Sequence, residues 1–421
     1  MNTLDDWLRY LEQLQPDRIE LGLARISQVA VAAGLDKPAF KIVTVGGTNG
    51  KGSTVAYIAG LLRTQNLSVG VYTSPHFIDF NERIVVDDDR VTDEELCRAF
   101  TAIDTARGDT SLTYFEFTTL AGIHCFMHRE VDVAVLEVGL GGRLDAVNAW
   151  DSDVACVTSV GIDHVDWLGD DREVIGYEKA SIARRGCALV CGDRKPPVSI
   201  ATTATGIGAE LLQLGDDFTC TSESEGWQYS DAEITVSLPP PAIPGEWAIG
   251  NASVAICTTR QLLGRHLDSS ELSAVLRQTG VAGRMQLSEH QGVPVILDVA
   301  HNVDAAALLA EYLQAHPGGG KTAAVFSCMQ DKDISAILQA MQPCIDGGWY
   351  IAELPLPRAI SSASLARSLD EVGVKSVDVF ATVTTAFEQA VAQSATGDRV
   401  MVFGSFHVVG PVLSRLSETS H

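Results

Sequence analysis

The chain has 421 residues, 46% hydrophobic and 20% charged, with a formal net charge of −24. Two or three domains with a large core are expected, and the charge argues against a nucleic-acid or anionic-membrane partner, because phosphate backbones need clustered cations. No apolar run approaches the ~20 residues of a membrane span. The acidic start of the chain lacks a signal-peptide core, and nine dispersed cysteines read as reduced thiols of a cytoplasmic protein.

Residues 4–14 read as a short helix, and residues 18–26 as a second, with Ile19, Leu23 and Ile26 on one face. Lys41-Ile42-Val43-Thr44-Val45 reads as a buried strand. A glycine-rich turn follows at once, Gly46-Gly47-Thr48-Asn49-Gly50-Lys51-Gly52-Ser53, and then an apolar-periodic helix. Strand, glycine turn and helix together make a phosphate-binding loop. Its amides and the helix N-terminus supply positive potential, and Lys51 adds a point charge. A strand from Val69 ends at Ser74, a turn residue or a metal ligand at the sheet edge. Thr113 and Glu116 fit a capping box opening a helix to about His128. The strand over 131–137 ends in Glu137, either a solvated acid or a Walker-B type metal ligand. A strand over 154–160 leads to His164, and Lys179 follows fifteen residues later.

Residues 186–280 read as loops and short strands, followed by a helix near Trp247 in which Asn251 is an N-cap candidate. From 286 onward strands and helices alternate, predicting a second open parallel sheet. No G-x-G-x-x-G turn follows its first strand, so a dinucleotide site is not indicated.

Gly52 separates Lys51 from Ser53, a departure from G-x-x-x-x-G-K-[ST]. With that glycine the loop resembles the ATP-dependent amide ligases related to the Mur ligases, most closely the folate branch, dihydrofolate synthase/folylpolyglutamate synthase. Ser74-Pro75-His76, Asn81-Glu82-Arg83-Ile84, Gly139 to Asn148, Glu178-Lys179-Ala180, Asp298 to Asn302, Asp331-Lys332-Asp333 and Gly404-Ser405-Phe406-His407 extend the resemblance over residues 18–415. Glu20 stands where that family more usually has Asp, and Val147 where it usually has Thr.

The resemblance implies an α/β fold. A P-loop ATP-binding domain with the pteroate site would span 1–285, and a smaller Rossmann-like glutamate-ligase domain 286–421. It implies ATP contacts from Gly47, Thr48, Asn49, Gly50, Lys51, Gly52, Ser53, Asn251, Arg284 and Asp298. Ser74, Glu137 and His164 would hold Mg²⁺, two ions in all, beside a carbamylated Lys179. Lys51, Lys179 and His164 would be the catalytic groups. Glu20, Leu21, Gly22, Thr113, Tyr114, Phe115, Glu116, Leu144, Asp145 and Ala146 would face the pteroate or folate. His301, Asn302 and Ser405 are candidates on the glutamate side. The expected reaction joins L-glutamate to dihydropteroate, and to tetrahydrofolates or folylpolyglutamates, through an acyl phosphate. A monomer is expected. Folylpolyglutamate synthesis alone, a Mur-type ligase acting on another carboxylate, and a non-catalytic nucleotide switch are the alternatives. The second domain speaks against the switch, and a phosphate loop starting after only about forty residues speaks against a cell-wall ligase.

Overall fold

The apolar runs that end at Gly46 and Glu137 become neighbouring parallel strands at the centre of a sheet. The computed structural model describes residues 3–14 and 21–419. Its first sheet uses β1 (Lys41–Gly46), β2 (Val69–Tyr72), β3 (Ile84–Val86), β4 (Asp89–Arg90), β5 (Val133–Glu137), β6 (Val154–Val157), β7 (Ala188–Cys191) and β8 (Glu210–Gln213) in the order β4-β3-β2-β5-β1-β6-β7-β8. The six strands from β2 to β8 are parallel, and β3 and β4 form an antiparallel edge. Register matters here: Val45 pairs with Glu137, Gly46 with Val157 and Tyr72 with Leu136. The phosphate loop, Ser74, Glu137 and the segment before His164 therefore leave the sheet at one carboxyl edge, where ligands bind in such sheets.

Residues 186–280 depart from expectation. They hold the helices Val198–Ile207 and Ser269–Gln278, and a three-stranded antiparallel sheet of β9 (Phe218–Glu223), β10 (Gly226–Asp231) and β11 (Thr235–Leu238). Trp227 and Tyr229 alternate into the core from β10 and join the residues of the helix Glu246–Leu263. The helix expected over 18–26 is displaced. Residues 21–23 are not helical and the helix is Ala24–Ala32, because Gly22, at φ 154°, turns its N–H to the Leu144 carbonyl at 3.3 Å. Residues 18–20, Glu20 among them, lie outside the described residues.

The second sheet orders β12 (Gln286–His290), β13 (Val293–Leu297), β14 (Thr322–Phe326), β15 (Trp349–Ala352), β16 (Val377–Phe380) and β17 (Arg399–Phe403) as β12-β13-β17-β14-β15-β16. It is not wholly parallel, since β12 hairpins back onto β13. Gln291 and Gly292, both at positive φ, allow that two-residue turn. One apolar core runs from β1 and β5 through the helix Glu246–Leu263 into the helix Val303–Ala315 and the second sheet. The fold is thus mixed α/β, with two sheets sharing a continuous interior.

Candidate active site

Two of the loop's glycines are required by contacts. Gly47 has φ 142° and Gly50 φ 87°, and a β-carbon at either would overlap Thr158 or the Asn251 carboxamide. Asn251 is therefore not an N-cap. It lies buried within the helix Glu246–Leu263, whose N-cap is Gly245. The strand expected to reach residue 160 ends at Val157 because the next residues brace the loop. The Thr158 hydroxyl donates to the Asn49 carbonyl at 2.6 Å, and the Thr48 N–H to the Ser159 carbonyl at 2.9 Å. Thr48 Oγ1 accepts the Gly161 N–H at 3.0 Å. Lys51 begins the helix Lys51–Thr64 and folds back to donate to the carbonyls of Gly47 and Thr48 at 3.1 and 3.2 Å. Burial lowers its pKa, against the opposing charge of Glu137.

A cavity of about 310 Å³ is lined by Lys51, Ser74, Glu137, His164 and Lys179 from the first domain, and by His301, Lys332, Arg358 and residues 404–407 from the second. Arg284 lies at the junction, its guanidinium 5.4 Å from the Phe406 ring centre. Glu137 is buried, and burial raises its pKa despite the Lys51 charge and the Ser74 N–H at 3.3 Å. Burial lowers His164 to about 4, so its imidazole is neutral at pH 7. Lys179, in the helix Arg172–Ala180, is lowered to about 7 by burial and then by the Lys51 charge.

Asp163 was missed as a site residue. Its carboxylate is buried and gathers three donors from the second domain: Lys332 Nζ, Asn302 Nδ2 at 3.1 Å and His301 Nε2 at 3.4 Å. Burial pushes its pKa up, but the His301 hydrogen bond and the surrounding cations outweigh it and hold the carboxyl well below its usual range. Asp163 adjoins the conspicuous His164, and Lys332 sits in the Asp-Lys-Asp motif, so both ends of the pair were visible in the sequence but their meeting was not.

A second cavity, of about 1000 Å³, shares Asn49, Gly50, Asp163, His164 and Lys332 with the first. Trp247, Asn251, Ile162 and Val303 line it, with Arg172, Arg194 and Lys195. Asp193, Glu246, Asp304, Asp331 and Asp333 line it too, and Arg172 pairs with Asp193 at 3.2 Å. Asn302 lines this cavity and not the first. Its amide exchanges two hydrogen bonds with Asn49, at 3.0 and 3.1 Å, and accepts the Ala305 N–H as the N-cap of Val303–Ala315. Asp298 has its carboxylate occupied by the N–H groups of Met285 and Ala300, each at 2.8 Å, and its pKa is raised by burial. Ser405 Oγ accepts the His407 N–H at 3.1 Å.

Of the expected pteroate residues, Phe115 and Asp145 reach residues 139–141, which line the first cavity, while none of the described ones lines that cavity itself. Gly22 bonds Leu144, and the Phe115 ring packs on Gly139. Asp145 accepts the Leu140 and Val147 N–H groups at 2.8 and 3.1 Å, and burial raises its pKa to about 7. Thr113 and Glu116 form the capping box, with hydrogen bonds of 2.7 and 3.1 Å, and Arg25 reaches Glu116 at 3.2 Å.

Among the described residues no three His, Cys, Asp or Glu side chains gather to hold a metal. Any cation here must draw on mixed donors, and Ser74, Glu137 and His164, which all line the cavity, offer a hydroxyl, a carboxylate and a neutral imidazole of the kinds a hard divalent ion accepts. No helix is long and apolar enough to cross a membrane among the described residues.

The arrangement, a phosphate loop facing a second domain across a cavity, coincides with known proteins. Residues 45–259 match the Mur ligase middle domain, and residues 283–406 the Mur ligase glutamate ligase domain. The dihydrofolate synthase/folylpolyglutamate synthase of Escherichia coli K12 is 39% identical over 98% of this chain and 95% of its own. The solved structure of E. coli FolC in complex with DHPP and ADP superposes with a TM-score of 0.94 at 38% identity, covering 100% of this chain and 99% of that one. A bifunctional folylpolyglutamate synthase/dihydrofolate synthase with Mn, AMPPNP and L-glutamate bound gives 0.91 at 40% identity, covering 99% and 98%. The chain belongs to the dihydrofolate synthase/folylpolyglutamate synthase family, ATP-dependent ligases of the Mur type.

Proposed function

We propose that the chain joins L-glutamate to dihydropteroate, giving dihydrofolate, and adds L-glutamate to the γ-carboxyl of tetrahydrofolates and folylpolyglutamates, releasing ADP and phosphate. The observation that carries this reading is a single cavity walled by Lys51 and Glu137 on one side and by residues 404–407 of the glutamate-ligase domain on the other. The relatives with ADP, DHPP, AMPPNP and L-glutamate bound support it.

Amide formation in water needs an activated acid. The γ-phosphoryl group of ATP passes to the substrate carboxylate, the amine of glutamate attacks the acyl phosphate, and phosphate leaves. Two anions meet in the first step, so the work is positioning and charge neutralisation, without a protein nucleophile. The loop amides and Lys51 would hold the phosphates, with Asn251 and the Trp247 wall on the nucleoside and Arg284 at the junction. Tyr114, Phe115 and Asp145 would flank the pteroate, leading its carboxylate past Gly139 to Lys51. Ser74, Glu137 and His164 would hold Mg²⁺, two ions with Lys179 as a carbamate. Bound there, Mg²⁺ neutralises charge on the transferring phosphoryl group. The two domains together exclude water, which would hydrolyse the acyl phosphate. Nine free thiols suit a reducing, cytoplasmic location, and we read the chain as a monomer.

The test is product analysis. The protein is incubated with ATP, Mg²⁺, L-glutamate and either dihydropteroate or tetrahydrofolate, and products are identified by mass. Both acids should gain glutamate with matching ADP release. Extension of tetrahydrofolate alone would reduce the function to folylpolyglutamate synthesis, and ADP release without either product would overturn it.

A further inference from the structure

Three cationic side chains line the first cavity from the junction and the second domain: Arg284, Lys332 and Arg358. Two of them are engaged. Lys332 pairs with Asp163. Arg284 lies over Phe406, and its charge reaches Glu137 and Asp298. Arg358 is exposed and differs in that, among the described residues, its guanidinium has no ion pair, no hydrogen bond and no ring contact, whereas that of Arg284 has the Phe406 ring. Its backbone is nevertheless fixed. The Arg358 carbonyl accepts the Gln330 N–H at 2.9 Å, Ala359 bridges Met329, and the Ile360 N–H reaches the Cys328 carbonyl at 3.2 Å. The segment bearing Arg358 is thus zipped to the loop beyond β14, at the carboxyl edge of the second sheet. A pinned backbone carrying an unused guanidinium fork on a cavity wall is suited to capturing a carboxylate.

We propose that Arg358 is the specificity-determining residue that takes the side-chain carboxylate of the incoming amino acid. This rests on the reading that L-glutamate is the amine. The attacking amine must reach the acyl carbon beside Lys51 and Glu137. The α-carboxylate, on the carbon bearing that amine, stays near the reacting centre. The side-chain carboxylate lies two methylenes away and needs a cation elsewhere on the wall. A guanidinium grips a carboxylate through two parallel N–H···O bonds, whereas the carboxamide of glutamine sets a donor against a donor. Glutamine has nearly the shape of glutamate, so volume alone cannot separate the two, and Arg358 supplies the difference.

The test measures Arg358→Gln and Arg358→Lys with L-glutamate and L-glutamine as competing amines, alongside KM for ATP and for the pteroate acid. Arg358→Gln should raise KM for glutamate by about 10- to 100-fold, leave KM for ATP unchanged, and shrink the preference for glutamate over glutamine by a similar factor. Arg358→Lys keeps the charge but not the fork and should fall between. It also carries the test if Arg358→Gln does not fold. Wild-type amino-acid preference in the folded variant overturns the proposal. A wild-type protein that ligates glutamate to neither acid instead removes the functional reading beneath it.

Discussion

Lys51 and Lys179 share one cavity, and their surroundings assign them different work. Lys51 is held by two loop carbonyls and by the attraction of Glu137, which opposes the lowering that burial imposes. It stands where phosphate oxygens would replace the carbonyls. Lys51→Ala should lower turnover by about 10²-fold or more, the usual effect of losing one electrostatic contact to a transition state, with an unchanged melting curve. Near-normal turnover would remove the phosphate-loop assignment. Lys179 has no ion pair among the described residues, and burial with the Lys51 charge brings it to about 7. The neutral amine is the form that reacts with CO₂, so a carbamate is chemically accessible at neutral pH. Protein stripped of CO₂ in mild acid should regain activity on adding bicarbonate. At constant dissolved CO₂ the rate of recovery should rise about tenfold per pH unit below about 7 and level off above it, as the neutral fraction saturates. Lys179→Arg, which cannot form the carbamate, should stay inactive throughout. Full activity in that variant would show that a cation suffices.

The element scale shows which features a sequence discloses. The capping box is written within four residues, Thr113 to Glu116, and could be read directly. The phosphate loop is equally local. The three-stranded sheet is not, because β9 and β11 are short and largely exposed, and an inward face shows chiefly in Phe218 and Cys220 of β9 and in Trp227 and Tyr229 of β10. The start of the second helix was misjudged because Gly22 answers to Leu144, more than a hundred residues on. The capping box also carries a prediction. Thr113→Ala removes the cap of Tyr114–His128 and should cost about 1 kcal/mol of stability. Thr92→Ala makes a matched comparison. Thr92 forms the same box with Glu95 at the start of Asp93–Arg107, and Arg129 holds Glu95 as Arg25 holds Glu116. Both variants should melt earlier by similar amounts. Only Thr113→Ala should raise KM for dihydropteroate, because Tyr114 and Phe115 lie in its first turn. Equal KM values in the two would confine Thr113 and Glu116 to a structural role.

Across the whole molecule, an overall charge of −24 has to coexist with a cavity for anions. The fold resolves this by bringing Lys51, Lys179, Arg284, Lys332 and Arg358 from both domains around one cavity. It closes that cavity with contacts far apart in the chain. Phe77 meets Phe406 with ring centres 4.8 Å apart, Trp247 meets Tyr312 at 6.3 Å, Asn49 meets Asn302, and Asp163 meets Lys332, His301 and Asn302. None of these pairings has a local signature, so the two domains were legible in the sequence and their docking was not. Asp163 is the centre of that docking, since one buried carboxylate there compensates a buried ammonium. Asp163→Asn keeps the shape but leaves the Lys332 charge only the more distant Asp331 carboxylate, 3.8 Å away, and breaking a buried pair typically costs about 3–5 kcal/mol. The protein should melt earlier, and its radius of gyration in small-angle scattering should rise as the domains part. Adding Lys332→Met removes that charge and fills the space with an apolar side chain. The double variant should then be more stable than Asp163→Asn alone and recover part of the compact scattering profile, while remaining impaired in ligation because Lys332 lines the cavity. If instead the two substitutions destabilise additively, the pair is not coupled, and closure must rest on the Asn49–Asn302 and aromatic contacts.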